Sequence, residues 1–244
     1  MGGSKSFERR LLVAVDATGY GSGRDQEHFT LQSGLVAVLN DAAAAADLGR
    51  GAWLKQGMGD GELAILPLDE PEPVVVDGYV RHLDSALMAH NKAAPANAKI
   101  RLRMAIHFGA AMEADNGFAG QGVVVVSRLV DSPPLRNALA AVPDANLAVI
   151  LSRQVFDDVV RQGHVSFAAT DFARVRVRMK EYEDDAWVKV IGVDSAAWRD
   201  GTSEALDGSH HDARPELIQH FHGDIRADGG PTTFGISYGA RSGH

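Results

Sequence analysis

The sequence predicts an α+β domain in which a central, mainly antiparallel sheet is covered by helices. Short β-prone apolar runs alternate with longer stretches of helical periodicity along most of the chain. Turn-forming segments join neighbouring runs as hairpins. The 244 residues, 45% of them hydrophobic, suffice for one large domain or two small ones with a buried core.

Taken in order, Leu11 to Val15 predicts a buried strand ending in the glycine-rich segment Asp16 to Gly23. A helix follows from about Asp25 to Leu48, its alanine-rich end favouring helix. Trp53 to Gln56 and Gly61 to Leu66 flank Gly57-Met58-Gly59-Asp60 and predict a hairpin with Asp60 near its tip. After an acidic, proline-bearing loop, Val76, Tyr79, Val80, Leu83, Leu87 and Met88 recur at helical spacing. Ile100, Leu102, Met104, Ile106 and Phe108 alternate as in a half-buried strand. Leu147 to Leu151 predicts another strand, with a helix to about Arg161. Val175, Val177 and Met179 alternate with arginines and pair with Trp187 to Ile191 across Glu183-Asp184-Asp185. From Trp198 on, the last 47 residues are rich in Gly, Ser, Asp and His, so the domain is expected to span 1–197 and a flexible polar tail 198–244. Five of the ten histidines lie in that tail without a spacing that sets a metal geometry, and Thr232 to Tyr238 is its β-prone patch.

Charge and composition exclude several functions. With 24 basic and 32 acidic residues the net charge is −8, which draws the molecule to neither nucleic acid nor an anionic membrane. The absence of cysteine removes thiolate catalysis, cysteine-ligated metals and disulfides. The apolar runs fall far short of the about 18 residues a membrane span needs, and no signal-peptide pattern precedes them. A soluble, cytoplasmic protein is expected.

Asp16 at a strand end and Asp60 at a hairpin tip are positions from which a sheet can present two carboxylates together. Such a pair suits Mg²⁺ or Mn²⁺, which complete their coordination with water and substrate phosphate. The segment Thr18, Gly19, Tyr20, Gly21 exposes backbone N–H groups before a helix, where a triphosphate can settle.

Four segments, in this order, resemble the class III nucleotide cyclases: Asp16-Ala17-Thr18-Gly19-Tyr20, Gly59-Asp60, Arg103-Met104-Ala105-Ile106-His107-Phe108-Gly109, and Gly120-Gln121-Gly122-Val123-Val124-Val125-Val126-Ser127-Arg128-Leu129. The resemblance covers roughly residues 10 to 191. The resemblance implies the class III cyclase-like fold and a head-to-tail homodimer whose sites lie between subunits. It also implies two divalent ions per site, held by Asp16, Asp60 and the Ala17 carbonyl. By the same resemblance the run Val123 to Val126, which propensity alone makes a strand, is helix, and Arg128 is supplied to the partner's site as the catalytic cation. Lys180, near the last hairpin, could approach the triphosphate, although as a lysine it is read first as solvated.

The departures from the family pattern bear on the base. The base-reading position four residues before the second metal aspartate holds Gln56, where purine cyclases carry Lys or Glu. The acidic adenine partner is replaced by Gly117 and the ribose-contacting Asn by Val124, while Lys55 is one place out of register. An amide at Gln56 offers a donor and an acceptor, which suits uracil. Trp53, Met58 and Phe118 are candidates to narrow the pocket. The chain is most similar to the stand-alone uridylate and cytidylate cyclases of bacterial anti-phage signalling. This implies conversion of UTP to cyclic UMP and pyrophosphate, with the product acting on a separate effector protein. The alternatives are a cytidylate or adenylate cyclase, or a non-catalytic nucleotide-sensing homologue.

Overall fold

The computed structural model describes residues 7–18, 25–95 and 98–199. The histidine- and glycine-rich tail from 200 on, with its β-prone patch, lies outside the described residues, as do Gly19, Tyr20 and Gly21.

Strands β1 (Glu8–Ala17), β2 (Leu54–Gly57), β3 (Gly61–Ile65), β4 (Leu102–Ala114), β6 (Leu147–Ser152), β7 (Ala173–Met179) and β8 (Tyr182–Val190) form a sheet in the order β2-β3-β1-β4-β6-β8-β7. The short β5 (Gly117–Ala119) pairs with β4 alone. Every neighbouring pair is antiparallel except β4 and β6, so the expectation of a mainly antiparallel sheet holds.

Helices cover both faces. On one face lie α1 (Asp25–Ala45) and a long helix α2 spanning 72–93, in which Val75–Tyr79 form a π-helical turn. Leu35, Val38, Leu39, Ala42 and Ala43 of α1 repeat at helical spacing and are buried against Leu11, Val13, Val15, Leu102, Met104 and Ile106 of the sheet. On the opposite face α3 (Gln121–Val130) and α4 (Pro133–Ala141) bury Val126, Leu129, Leu135 and Leu139 against Leu12, Ala14, Ala105 and Ile150. Strand β4 is therefore covered on both faces where the sequence predicts one, because Ala105 and the alanines and valines of its neighbours leave room for a second helical layer. That layer also explains the valine run: in α3 Val125, Val126, Leu129 and Val130 form one buried stripe, and packing of that stripe overrides the β-propensity of four consecutive valines.

Two boundaries differ from expectation. Glu183, Asp184 and Asp185 belong to β8, and the turn falls at Lys180 and Glu181. The acidic residues fit within a strand because Arg153, Arg174 and Arg176 pair with Asp185. Trp198, expected at the start of the tail, lies in helix α5 (Ala196–Arg199) with 2% of its surface exposed, within the second core. Trp198→Ala is expected to lower the unfolding free energy by about 3–5 kcal/mol. A urea titration showing a loss below about 1 kcal/mol would make α5 peripheral to the domain.

Candidate active site

Strand β1 carries Asp16 to one end of the sheet, in register with Gly61 of β3 and Arg103 of β4. The Ala17 amide donates to the Asp60 carbonyl oxygen at 3.0 Å, which ties the end of β1 to the hairpin tip and sets the two aspartates beside each other. Gly61 permits this close approach, since a Cβ there would overlap the Val15 carbonyl oxygen. The Gln32 side chain of α1 holds the hairpin from outside, donating to the Gly59 carbonyl at 2.8 Å. Asp16 and Asp60 are thus brought together as the sequence predicts.

Asp16 is not an unpaired carboxylate, however. Arg103 of β4 pairs with it, their side chains 11% and 18% exposed respectively. The guanidinium Nε and Nη1 are buried without a hydrogen-bond partner. Burial raises the Asp16 carboxyl above the ordinary aspartate range. Arg103 opposes that shift, and the negative charges of Asp60 and Asp131 add to it. Arg103 belongs to the third family-like segment, and a cation between the buried Leu102 and Met104 is the signal that it needs a partner. Strand order alone does not say which.

Ala17, Thr18, Asp60, Gln32, Lys99 and Ile100 line a cleft at this end of the sheet. The Thr18 backbone amide donates to the Arg101 carbonyl at 2.9 Å, fixing the point at which the chain leaves β1 for the glycine segment. Lys99, which sequence reasoning did not single out, places a cation in a cleft that also holds Asp60.

Gln56 of β2 pairs with Leu63, which in turn faces Ala14, so Gln56 lies on the same sheet face as Asp16. Lys55 lies on the other face and donates from Nζ to the Arg50 carbonyl at 2.7 Å, turned away as the strand alternation requires. The Gln56 side chain is packed against Gly117 at the turn from β4 into β5. Of the three bulky candidates, Trp53 does not face this region. It is 3% exposed in the first core, with its indole Nε1 donating to Glu70 at 2.7 Å and its ring edge-on to Tyr79. The indole pairs with the half-buried carboxylate of Glu70, a partner that spacing could not reveal. Met58 is exposed, and Phe118 is half-buried against the second core.

Arg128 projects from the last turn of α3, with Val124 one turn earlier on the same helix face. Its ion-pair partner is Glu181 at 3.6 Å, on the β7–β8 turn beside Lys180, and its Nε is buried without a partner. Among the described residues no ion pair joins Arg128 to Asp16 or Asp60 of its own chain.

The donor set can be tested against a divalent ion. Among the described residues no group of three or more His, Asp or Glu side chains could hold a metal unaided. Asp16 and Asp60 with a backbone carbonyl supply only oxygen, and a buried carboxyl beside a second carboxylate gains its charged form from a cation. That set fits Mg²⁺ or Mn²⁺ when substrate oxygens complete the coordination.

No family model and no curated protein matches the sequence. Solved structures do match. The guanylyl cyclase Cya2 aligns over 80% of this chain and 96% of its own, with 14% identity and a TM-score of 0.56. A bacterial light-regulated adenylyl cyclase aligns over 84% of this chain and 59% of its own, with 13% identity and a TM-score of 0.53. An adenylate/guanylate cyclase/hydrolase from Silicibacter pomeroyi aligns over 76% of this chain and 99% of its own, with 20% identity and a TM-score of 0.50. With its strand order, its two helical layers and its paired aspartates at the sheet end, the chain has the fold of the class III nucleotide cyclase domains.

Proposed function

We propose that this protein is a nucleotide cyclase that converts a ribonucleoside triphosphate, UTP before CTP and ATP, into the 3′,5′-cyclic monophosphate and pyrophosphate. The observation that carries the reading is the Ala17–Asp60 backbone hydrogen bond, which ties the end of β1 to the hairpin tip and so brings Asp60 close enough to Asp16 for their charges to interact, within a class III fold. Asp16, Asp60 and the Ala17 carbonyl would hold two Mg²⁺ or Mn²⁺ ions. When bound, these ions supply the charge that acidifies the ribose 3′-hydroxyl and neutralises the leaving pyrophosphate.

In the reaction the 3′-oxygen forms a bond to the α-phosphorus as the bond from that phosphorus to the α–β bridging oxygen breaks. Pyrophosphate leaves with the electron pair, and the hydroxyl proton passes to solvent. The two carboxylates would hold the cations to which the triphosphate binds, and in that way set it for in-line attack. Phosphate binding is assigned to Thr18, Gly19, Tyr20 and Gly21 by the motif they form, with the last three outside the described residues. Gln56 meets the base, a role supported by its position on the Asp16 face of the sheet while Lys55 is turned away. Arg128, which pairs with neither aspartate of its own chain, serves the site of a second copy in a homodimer and stabilises charge developing on the α-phosphate. The cyclic pyrimidine nucleotide would act as a messenger to a separate effector protein in anti-phage defence.

Incubating the purified protein with each of the four ribonucleoside triphosphates and Mn²⁺, followed by mass identification of the products, tests the reading. Cyclic UMP is the expected main product. Cyclic AMP or cyclic GMP in excess would overturn the pyrimidine assignment and keep the cyclase. No cyclic product from any triphosphate would overturn both.

A further inference from the structure

The hairpin that carries Asp60 forms the border of the sheet, where β2 is four residues long and pairs with β3 alone. Gly59 and Asp60 lie outside both strands, so the place of Asp60 follows from how the root of the hairpin is held. That root is built around a buried ion pair. Glu62, two residues beyond Asp60, lies on the same strand face as Ala64 of the first core. Its carboxylate receives two parallel hydrogen bonds from Arg50, Nη1 to Oε1 at 2.7 Å and Nη2 to Oε2 at 2.9 Å. Arg50 belongs to the 3₁₀ turn Arg50–Ala52 that leads into β2, and its Nε donates to the side-chain oxygen of Asn40 in α1 at 2.9 Å. The guanidinium also lies over the Trp53 ring, 5.5 Å from its centre. The side chains of Arg50 and Glu62 are 6% and 15% exposed, and neither has a buried nitrogen or oxygen without a partner.

A buried ion pair adds little stability over apolar residues of similar volume, whereas its two-pronged geometry fixes orientation. Here it joins α1, the turn before β2 and strand β3 at a point two residues from Asp60. We infer that Arg50 is a positioning residue for the metal site: by gripping both oxygens of Glu62 and the side chain of Asn40, it sets the hairpin so that Asp60 meets Asp16. The tip is then tied to β1 through the Ala17–Asp60 backbone bond and the root to α1 through Arg50. The inference deepens the cyclase reading and rests on it, since it concerns how that site holds its cations.

The test compares the double variant Arg50→Met/Glu62→Leu with the wild type. Both charges are removed together, so neither is left buried without a partner, and the melting temperature is expected to stay near or above that of the wild type. Mn²⁺ binding is then read by electron paramagnetic resonance in the presence of the 3′-deoxy analogue of the triphosphate that the wild type cyclises, which lacks the attacking hydroxyl and cannot turn over. The double variant is expected to bind Mn²⁺ about tenfold more weakly. In steady-state kinetics its KM for Mn²⁺ should rise by a similar factor, with a smaller change in kcat at saturating Mn²⁺. A merely structural role would lower kcat through loss of folded protein and leave the KM for Mn²⁺ unchanged. Wild-type Mn²⁺ affinity and KM in a folded double variant would overturn the inference and leave the cyclase standing. If the double variant does not fold, Arg50→Lys carries the same comparison, because a single nitrogen keeps the charge but cannot grip both oxygens of Glu62 and reach Asn40 at once. A wild-type protein that cyclises none of the four triphosphates would instead overturn the underlying reading.

Discussion

Asp60→Ala is expected to reduce cyclic-nucleotide formation by about a thousandfold or more while leaving the protein folded. The hairpin is tied to β1 through the Asp60 backbone carbonyl, which the substitution keeps, and the side chain forms no ion pair among the described residues. Near-wild-type turnover with Mn²⁺ would remove Asp60 from the metal site. The companion variant at Asp16 behaves differently, because Arg103 is buried against that carboxylate with two further nitrogens unpaired. Asp16→Ala strands a guanidinium that is 11% exposed and is expected to cost roughly 2–4 kcal/mol of stability in addition to activity. Asp16→Asn keeps an acceptor for Arg103 and loses the charge, so it separates the two effects. Loss of activity with little loss of stability in Asp16→Asn is the expected result.

Arg128→Ala is expected to lower kcat by about a hundredfold or more with a smaller change in KM, since the interaction matters most in the transition state. Removing it also frees Glu181, which is 67% exposed and readily solvated, so the fold should tolerate the change. The decisive form of the experiment mixes Arg128→Ala with Asp60→Ala. In a head-to-tail dimer that takes its arginine from the partner, the mixed dimer has one site carrying both defects and one carrying neither. At equal, fully exchanged concentrations half of the dimers are mixed, so activity should return to about a quarter of wild type from two inactive parents. No recovery, with subunit exchange demonstrated by differently tagged chains, would overturn the arrangement in trans.

Much of the fold is legible in the sequence because its periodicities are clear. The helical spacing of Leu35 to Ala43 and of Val76 to Leu87, and the apolar runs at Leu11 to Val15 and Leu147 to Leu151, each become the element that their pattern predicts. Local preference fails where a partner distant in sequence decides. Propensity alone makes the valine run of α3 a strand, and the helix that the family resemblance implies is explained by packing on the sheet beneath it, whereas the acidic triplet of β8 is misread as a turn because the arginines beside Asp185 are remote in the chain. Trp53 and Trp198 look like pocket and tail residues until packing assigns both to cores.

By itself the sequence determined the alternation of elements, the absence of cysteine chemistry, the strand-end and hairpin-tip positions of Asp16 and Asp60, and the turning of Lys55 away from Gln56. These follow from local geometry: side chains alternate along a strand, and a glycine-flanked turn puts its residues at the sheet's end. Only the tertiary structure decided that β3 and β4 flank β1, so that Asp16 meets both Asp60 and Arg103. It also decided that the β4–β5 hairpin brings Gly117 onto Gln56, 61 positions away in the chain. Strand order and the folding back of a hairpin are settled by which apolar faces can be buried together, a property of the whole core that no single segment encodes.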